Sequence, residues 1–295
     1  MAGKAPQPED PAEPEVRERR GIKKGLYLLP STFTAANIGM GFFSVMASLR
    51  GFQLLDENIP AATAQFDYAA RAIGWAALFD ALDGRIARMT KTTTEMGIQL
   101  DSLADVLTFG IAPAVLAYAW GYGSSLPDGS QAQKLGWFVS FMFLMCGALR
   151  LARFNVQATR PRTLSEGTAK VDKKNFVGLP IPAAAGLIAA FVHFAPTPLK
   201  AYGDEYLTPY TGLAMGAIAV LGVLMVSTIR YSSFKTVGGG KRSRATVVLF
   251  IAAVGMLIWL YSRYTLLAIV AAYVLHGIVL RVASLFRFRP STEAH

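Results

Sequence analysis

The chain has 295 residues, of which 53% are hydrophobic and only 16% are charged. A soluble globular domain typically carries about 25% charged residues, so the composition predicts a protein that crosses a membrane several times and excludes a soluble enzyme. The single cysteine, Cys146, excludes an internal disulfide and a cysteine-ligated metal cluster. Despite the net charge of +10, we expect a lipid bilayer and no nucleic acid as the partner.

The predicted elements start with a disordered arm over residues 1–20, which are rich in proline and glutamate and have no apolar stretch. A short interfacial helix is predicted over 21–30. Apolar segments then predict membrane-spanning helices at 31–49, 66–89, 97–119, 136–157, 179–195, 210–228, 245–261 and 264–285. We therefore expect an all-α integral membrane fold of about eight spans.

The domain organisation follows from these segments. A six-helix membrane core is predicted over 31–237, and a basic, glycine-rich loop over 238–244 links it to two additional transmembrane helices at 245–286. Residues 287–295 form a tail. With the N-terminus inside, 24 of the 29 lysine and arginine residues lie on one side of the membrane. This asymmetry predicts an inner-membrane protein with both termini in the cytoplasm.

Polar residues cluster at the end of the second predicted helix and the start of the third. With a rotation of about 100° per residue, Asp80, Asp83, Gly84 and Ala87 lie on one face of the predicted second helix, within about 100° of arc. Asp101 and Asp105 share a face of the next helix, and a short turn returns the chain antiparallel. The positions concerned are Asp80, Asp83, Gly84, Ala87, Arg88, Gly97, Asp101 and Asp105.

Four carboxylates at this depth repel one another and are costly to desolvate without a cation. Oxygen ligands without cysteine or histidine favour two divalent ions, Mg²⁺ or Mn²⁺ with Ca²⁺ as a further option, and such a pair binds a diphosphate. The alternative is an ion-paired helical hairpin balanced by Arg85 and Arg88. Two arginines cannot neutralise four buried carboxylates, so the metal site is favoured.

The spacing D-x2-D-G-x2-A-R-x8-G-x3-D-x3-D over residues 80–105 resembles the signature of the CDP-alcohol phosphotransferase family. The resemblance implies a six-helix membrane core with its site open to the cytoplasm. It implies that Asp80, Asp83, Asp101 and Asp105 are metal ligands and that Asp105 is also the general base. It further implies that the CDP pocket is lined by Gly84, Ala87, Arg88, Thr94 and Gly97.

Four more segments resemble the serine-using subgroup of this family, the membrane-embedded phosphatidylserine synthases. They are LPSTFTAANIGMGFFSV at 29–45, RLARFNV at 150–156, FVGLPIPAAAG at 176–186 and LMVSTIRYSSFK at 224–235. The resemblance implies CDP-diacylglycerol as donor, L-serine as acceptor, and phosphatidylserine and CMP as products. Homodimers are usual in the family, so a homodimer is a further option.

The acceptor site is predicted near the fourth helix. An arginine fork neutralises an amino acid carboxylate well, so Arg150 and Arg153 are candidates, with Asn155 for the ammonium group. Alternatively, the two arginine side chains extend to the lipid headgroups or pair with the aspartates. Lys235 marks either a donor phosphate contact or the membrane interface. Thr34 and Asn37 are candidate contacts to CDP or the metal shell, with helix packing as the equal alternative.

Two other functions stay open at this point. Within the same reaction class, the acceptor alcohol is alternatively glycerol 3-phosphate, inositol phosphate or choline. A cation or lipid transporter would use the aspartates as a binding site, but the absence of an inverted sequence repeat argues against it.

Overall fold

The computed structural model describes residues 19–90, 95–159, 175–232 and 244–286. Its helices are α1 (Arg19–Gln53), α2 (Ile59–Thr90), α3 (Glu95–Asp105), α4 (Ala112–Ala117), α5 (Gln131–Thr159), α6 (Ile181–Phe194), α7 (Asp204–Val226) and α8 (Arg244–Phe286). π-Helical turns at Val106–Ile111 and Tyr118–Tyr122 join α3 and α4 into one continuous rod, and Leu199–Tyr202 forms a short 3₁₀ turn. The all-helical prediction is confirmed.

Long apolar helices make this a multi-pass membrane protein. Within the described residues, six segments have the length and composition to cross a bilayer: Thr32–Gln53, Met96–Tyr122, Gln131–Val156, Ile181–Tyr202, Pro209–Val226 and Val248–Arg281. Helix α2 is not among them, because its charged residues, Asp80 and Asp83 included, lower its mean hydropathy. The helix nevertheless has 32 residues, a length of about 48 Å at 1.5 Å per residue, and makes extensive contact with α1.

Two predicted boundaries differ from the structure at the N-terminal side. The segment 21–30 is helical, but it is continuous with the first spanning helix and does not form a separate element. A proline removes one backbone hydrogen bond, and the turns on either side of Pro30 persist. The predicted arm over 1–20 lies outside the described residues except for its last two positions, which begin α1.

The last helix is two arms that meet at a sharp kink. Tyr261 has non-helical backbone angles, φ −135° and ψ 48°. The Thr265 hydroxyl donates to the carbonyl oxygen of Leu257 at 3.2 Å, eight residues earlier. In a straight helix, eight residues advance by about 12 Å, so the chain must bend strongly here. The kink lies between the two C-terminal helices predicted at 245–261 and 264–285. We call 262–286 the second arm.

A small β-ladder was not predicted. The backbones of β1 (Asn175–Val177) and β2 (Arg230–Ser232) pair antiparallel, next to the start of α6 and the end of α7. Strands of three residues are too short for a periodic pattern. The ladder continues into Gly178, whose φ is +84°, and an added Cβ there would lie 2.3 Å from the carbonyl oxygen of Met225. Only glycine fits this position.

The end of the bundle where α2 ends and α3 begins is called the aspartate end. The opposite end is closed by polar contacts between loops. Lys200 and Asp56 form an ion pair at 2.5 Å. The indole Nε1–H of Trp120 donates to the carbonyl oxygens of Ala195 and Thr197, both at 3.0 Å. These contacts tie the α1–α2 loop and the end of the α3–α4 rod to the segment that follows α6.

A buried polar network joins α2, α6 and the second arm of α8. The Nδ1–H of His193 donates to Asp67 at 2.5 Å, and Arg71 pairs with the other Asp67 oxygen at 2.5 Å. The remaining ring nitrogen, Nε2, then accepts the Ser262 hydroxyl proton at 3.0 Å. His193 is only 4% exposed, so these bonds replace contacts with water that the residue lacks.

Close packing between α1 and the α3–α4 rod depends on Gly41. A Cβ added at Gly41 would lie 2.5 Å from the Thr108 hydroxyl oxygen and 2.9 Å from its Cα. The Thr108 hydroxyl donates to the carbonyl oxygen of Asn37 at 3.2 Å, one turn earlier on α1. The absence of a side chain at Gly41 therefore sets the distance between α1 and the rod.

We expect Gly41→Ala to lower the thermal unfolding midpoint, because the new methyl group meets Thr108 backbone atoms that cannot rotate away. Overpacking of this kind costs about 1–3 kcal/mol. The measurement is the melting of detergent-purified protein. Gly39→Ala is the matched control, since a Cβ there meets nothing within 4 Å. Equal midpoints for the two variants would contradict the role of Gly41.

We expect His193→Ala to destabilise the fold by about 1–3 kcal/mol, because it leaves the buried Asp67 carboxylate and the Ser262 hydroxyl without their shared partner. The same melting measurement tests this. His276→Ala serves as the control, because His276 is exposed on the second arm. A midpoint for His193→Ala as high as that of the control would show that the network adds no stability.

Candidate functional site

Three carboxylates come together where α2 and α3 face each other. Asp80 on α2 and Asp101 and Asp105 on α3 each offer one oxygen, and these oxygens lie within 4.8 Å of one another. All three residues are partly buried. An antiparallel return of the chain was predicted over 89–96, and it was expected to bring aspartates of two successive helices together. Asp80 of α2 does lie beside Asp101 and Asp105 of α3.

Asp83 lies outside this group of three. It is 6% exposed and accepts a hydrogen bond from the hydroxyl of Thr34 on α1. It still interacts electrostatically with Asp101, so its charge adds to the negative potential of the cluster. Thr34 was predicted to contact CDP or the metal shell, with helix packing as the alternative, and its hydroxyl orients a carboxylate that was predicted as a metal ligand.

A π-helical turn begins immediately after Asp105. The wider turn over Val106–Ile111 shifts the register of the following residues relative to α3, and such turns are frequent at functional sites. Asp105 itself has ordinary helical angles, φ −60° and ψ −44°. Its Oδ1 is buried and has no hydrogen-bond partner among the described residues. An unpaired buried carboxylate oxygen is costly, and a bound cation or substrate proton satisfies it.

Asn37 has a similar unsatisfied side chain. It is 1% exposed, and neither its amide oxygen nor its amide nitrogen has a partner within the part of the chain that the structure describes. Asn37 lies one turn along α1 from Thr34, which contacts Asp83. Its position beside the aspartates is consistent with the predicted role in the metal shell or nucleotide pocket.

Helix α5 brings a cation to Asp105. The Arg150 guanidinium interacts electrostatically with Asp105. Its Nε is buried and has no hydrogen-bond partner among the described residues. Arg153 is exposed. Asn155 donates through its amide nitrogen to the Ser102 hydroxyl at 2.8 Å, which links α5 to α3 between Asp101 and Asp105.

The remaining predicted residues lie on α2 and α3 or outside the described residues. Gly84 on α2 and Gly97 on α3 are both exposed. The backbones of Ala87 and Arg88 continue α2 to its end. Thr94 and Lys235 lie outside the described residues.

Sequence reasoning did not single out Ser102. It lies between two aspartates of the motif, but a lone serine on a helix has no pattern of its own, and only the packing of α5 on α3 brings Asn155 to its hydroxyl.

The donor set fits a divalent cation. Three carboxylate oxygens within 4.8 Å repel one another strongly, and an orphaned Asp105 oxygen remains. Hard oxygen ligands suit Mg²⁺, Mn²⁺ or Ca²⁺.

We expect Mn²⁺ to raise the melting midpoint of the wild-type protein, since a ligand at 100 times its Kd stabilises the fold by about 2.7 kcal/mol. Asp101→Asn should melt higher than the wild type without metal, because it removes a repelling charge, and should gain much less from Mn²⁺. Asp128→Asn, an exposed carboxylate in the opposite loop, is the control. An equal Mn²⁺ shift in all three proteins would contradict a metal site at the cluster.

Comparison with known proteins finds relatives of this sequence. The family model for CDP-alcohol phosphatidyltransferase matches residues 27–227. The chain is 35% identical over 256 residues to a CDP-diacylglycerol–serine O-phosphatidyltransferase of Helicobacter pylori strain J99, covering 86% of this chain and 91% of that protein. A Saccharomyces cerevisiae protein of the same name is 37% identical over 164 residues, covering 54% of this chain and 51% of its own length.

Proposed function

Because the chain belongs to the CDP-alcohol phosphatidyltransferase family, we propose that it transfers the phosphatidyl group of CDP-diacylglycerol to the hydroxyl of L-serine, giving phosphatidylserine and CMP. The observation that carries the reaction class is the group formed by Asp80, Asp101 and Asp105. The choice of serine rests on the relatives, since the Helicobacter pylori protein is aligned over nearly its whole length and is named for that acceptor.

The proposed cofactor is a pair of Mg²⁺ or Mn²⁺ ions held by Asp80, Asp83, Asp101 and Asp105. When bound, such ions neutralise the diphosphate and stabilise the charge that develops on the leaving CMP. The chain's own contribution is to hold four carboxylates on two facing helices. Thr34 supports this arrangement by orienting Asp83 from α1.

Asp105 is the proposed general base. Its Oδ1 has no partner among the described residues, so it is available to accept the serine hydroxyl proton. As the proton transfers, the serine oxygen forms a bond to the phosphorus that carries the diacylglycerol. The bond from this phosphorus to the bridging oxygen of CMP breaks, and CMP leaves with the electron pair.

Substrate contacts are assigned to the residues around the cluster. The CDP group is proposed to contact Gly84, Ala87, Arg88, Thr94, Gly97, Thr34 and Asn37. Arg150 is the proposed partner of the serine carboxylate, because it is the cation that interacts with Asp105. Arg153, Asn155 and Lys235 are secondary candidates for the acceptor or a phosphate.

An apolar cavity supports a lipid donor. It has a volume of about 770 Å³ and lies between α6, α7 and the second arm, where Phe191, Leu221 and Val274 contribute to its wall. An apolar lining of this kind accepts hydrocarbon chains.

We further propose that both termini and the site lie on the cytoplasmic side of the inner membrane, a topology that the distribution of lysine and arginine supports. We also propose that the protein is a homodimer.

The test is CMP release from CDP-diacylglycerol with Mn²⁺ or Mg²⁺, with L-serine, glycerol 3-phosphate, inositol phosphate and choline in parallel. We expect release with serine and a decrease of at least about 100-fold in kcat for Asp105→Asn, which keeps the side-chain shape but removes the proton acceptor. Asp128→Asn should retain full activity.

Release with a different alcohol would replace serine as the acceptor and leave the reaction class intact. Full activity of Asp105→Asn would remove Asp105 from the chemistry. A folded wild-type protein that releases no CMP with any acceptor would contradict the transferase function and favour a transporter. The family match over residues 27–227 argues against a transporter.

A further inference from the structure

The apolar cavity between α6, α7 and the second arm is elongated along the helix axes. Its lining on α7 runs from Tyr210 to Leu224, which lie 14 residues or about 21 Å apart. On the second arm the lining runs from Leu267 to Ile278, over about 16 Å. Half of the hydrocarbon core of a bilayer is about 15 Å thick, so the cavity is long enough for a stretched lipid tail.

One end of the cavity lies close to the catalytic cluster. Leu224 lines this end, and its carbonyl oxygen accepts the backbone N–H of Leu179 at 3.0 Å. Two residues later, Ile181 comes within 4.0 Å of a Cβ added at Gly110 on the α3–α4 rod. Gly110 follows Asp105 by five residues, a rise of about 7 Å. A ligand with its polar part at the aspartates can therefore place an apolar part in the cavity.

The other end of the cavity is walled by aromatic rings, which we call the floor. Tyr202 and Tyr210 meet edge to face with their ring centroids 6.1 Å apart. Trp120 packs edge to face against Phe191 at 5.8 Å, and its indole N–H donates to two carbonyl oxygens of the segment after α6, both at 3.0 Å. A tail that enters from the end nearer the aspartates meets these rings last.

The cavity is accessible from the side, between α7 and the second arm. Within the described part of the chain, α8 packs on α6 and makes little direct contact with α7. Leu213, Ala217 and Val220 of α7 line the cavity and are also exposed. A lipid in the surrounding bilayer therefore has a path into the cavity that does not cross water.

We propose that this cavity binds one acyl chain of the lipid donor and that its floor limits the length of this chain. Carbon–carbon bonds of about 1.5 Å advance an extended chain by about 1.25 Å each, so a 16-carbon chain is about 19 Å long. This length matches the cavity along α7 when the carboxyl end points toward Asp105. The inference rests on the proposed function, and specifically on CDP-diacylglycerol as the donor.

The test is the KM for donors with eight-carbon and with 16-carbon chains, measured in mixed micelles at fixed mole fraction. Ala271→Trp fills the cavity from the second arm, about 10 Å from Ile278 at the end nearer the aspartates. An eight-carbon chain, about 9 Å long, stops short of this position, whereas a 16-carbon chain passes it.

We expect Ala271→Trp to raise the KM for the 16-carbon donor at least tenfold, because each methylene group displaced from the cavity weakens binding about fourfold. The KM for the eight-carbon donor and for serine should stay within about twofold of the wild type. Ala272→Trp is the matched control, since Ala272 is the next residue on the arm, is exposed and does not line the cavity.

A second variant tests the floor in the opposite direction. Tyr210→Ala lengthens the cavity, so the KM for a 20-carbon donor relative to that for the 16-carbon donor should fall at least fivefold below the wild-type ratio. Tyr68→Ala, at an exposed tyrosine of α2 outside the cavity, should keep the wild-type ratio.

Donor binding can also be measured without turnover, as the rise in melting midpoint that the donor causes when no acceptor is present. The 16-carbon donor should stabilise the wild type and Ala272→Trp more than Ala271→Trp, and the eight-carbon donor should stabilise all three equally. Equal changes for the two donors in Ala271→Trp, or an unchanged ratio in Tyr210→Ala, would overturn the inference and leave the proposed function standing. Wild-type protein that binds both donors but releases no CMP with any acceptor would contradict the proposed function alone.

Discussion

Mutual repulsion among carboxylates is the constraint around which this structure is organised. Asp80, Asp101 and Asp105 bring oxygens within 4.8 Å of one another in a bundle of apolar helices, where little water is present to screen them. Such an arrangement is stable only with compensating positive charge. Among the described residues, Arg150 is the cation that interacts with Asp105, and the carboxylate oxygens form a group suited to binding further positive charge.

The surrounding helices hold the cluster in place without neutralising it. Helix α1 approaches the α3–α4 rod closely because position 41 is glycine, and the same helix carries Thr34 to Asp83. Helix α5 contributes Arg150 and, through Asn155, a contact to α3. The π-helical turn after Asp105 allows the rod to continue into the apolar core with a different register.

The two ends of the bundle differ in what their polar groups do. At the aspartate end, carboxylate, amide and guanidinium atoms remain buried without partners in the described residues, as expected where a ligand supplies them. At the opposite end, Asp67, His193, Ser262 and Arg71 satisfy one another, and Asp56 pairs with Lys200. The first set favours binding and the second favours stability.

The sequence by itself determined the membrane class, the approximate positions of the helices and the carboxylate cluster, because these depend on local hydropathy and on spacing within two successive helices. It also predicted the division of the C-terminal region near residue 262. It could not specify that Thr34 meets Asp83 or that His193 meets Asp67. These partners are separated by 49 and 126 residues in the chain, and no local pattern encodes which faces of distant helices meet. Side-chain packing between helices, such as the close contact at Gly41, decides those pairings, and so only the tertiary structure contains them.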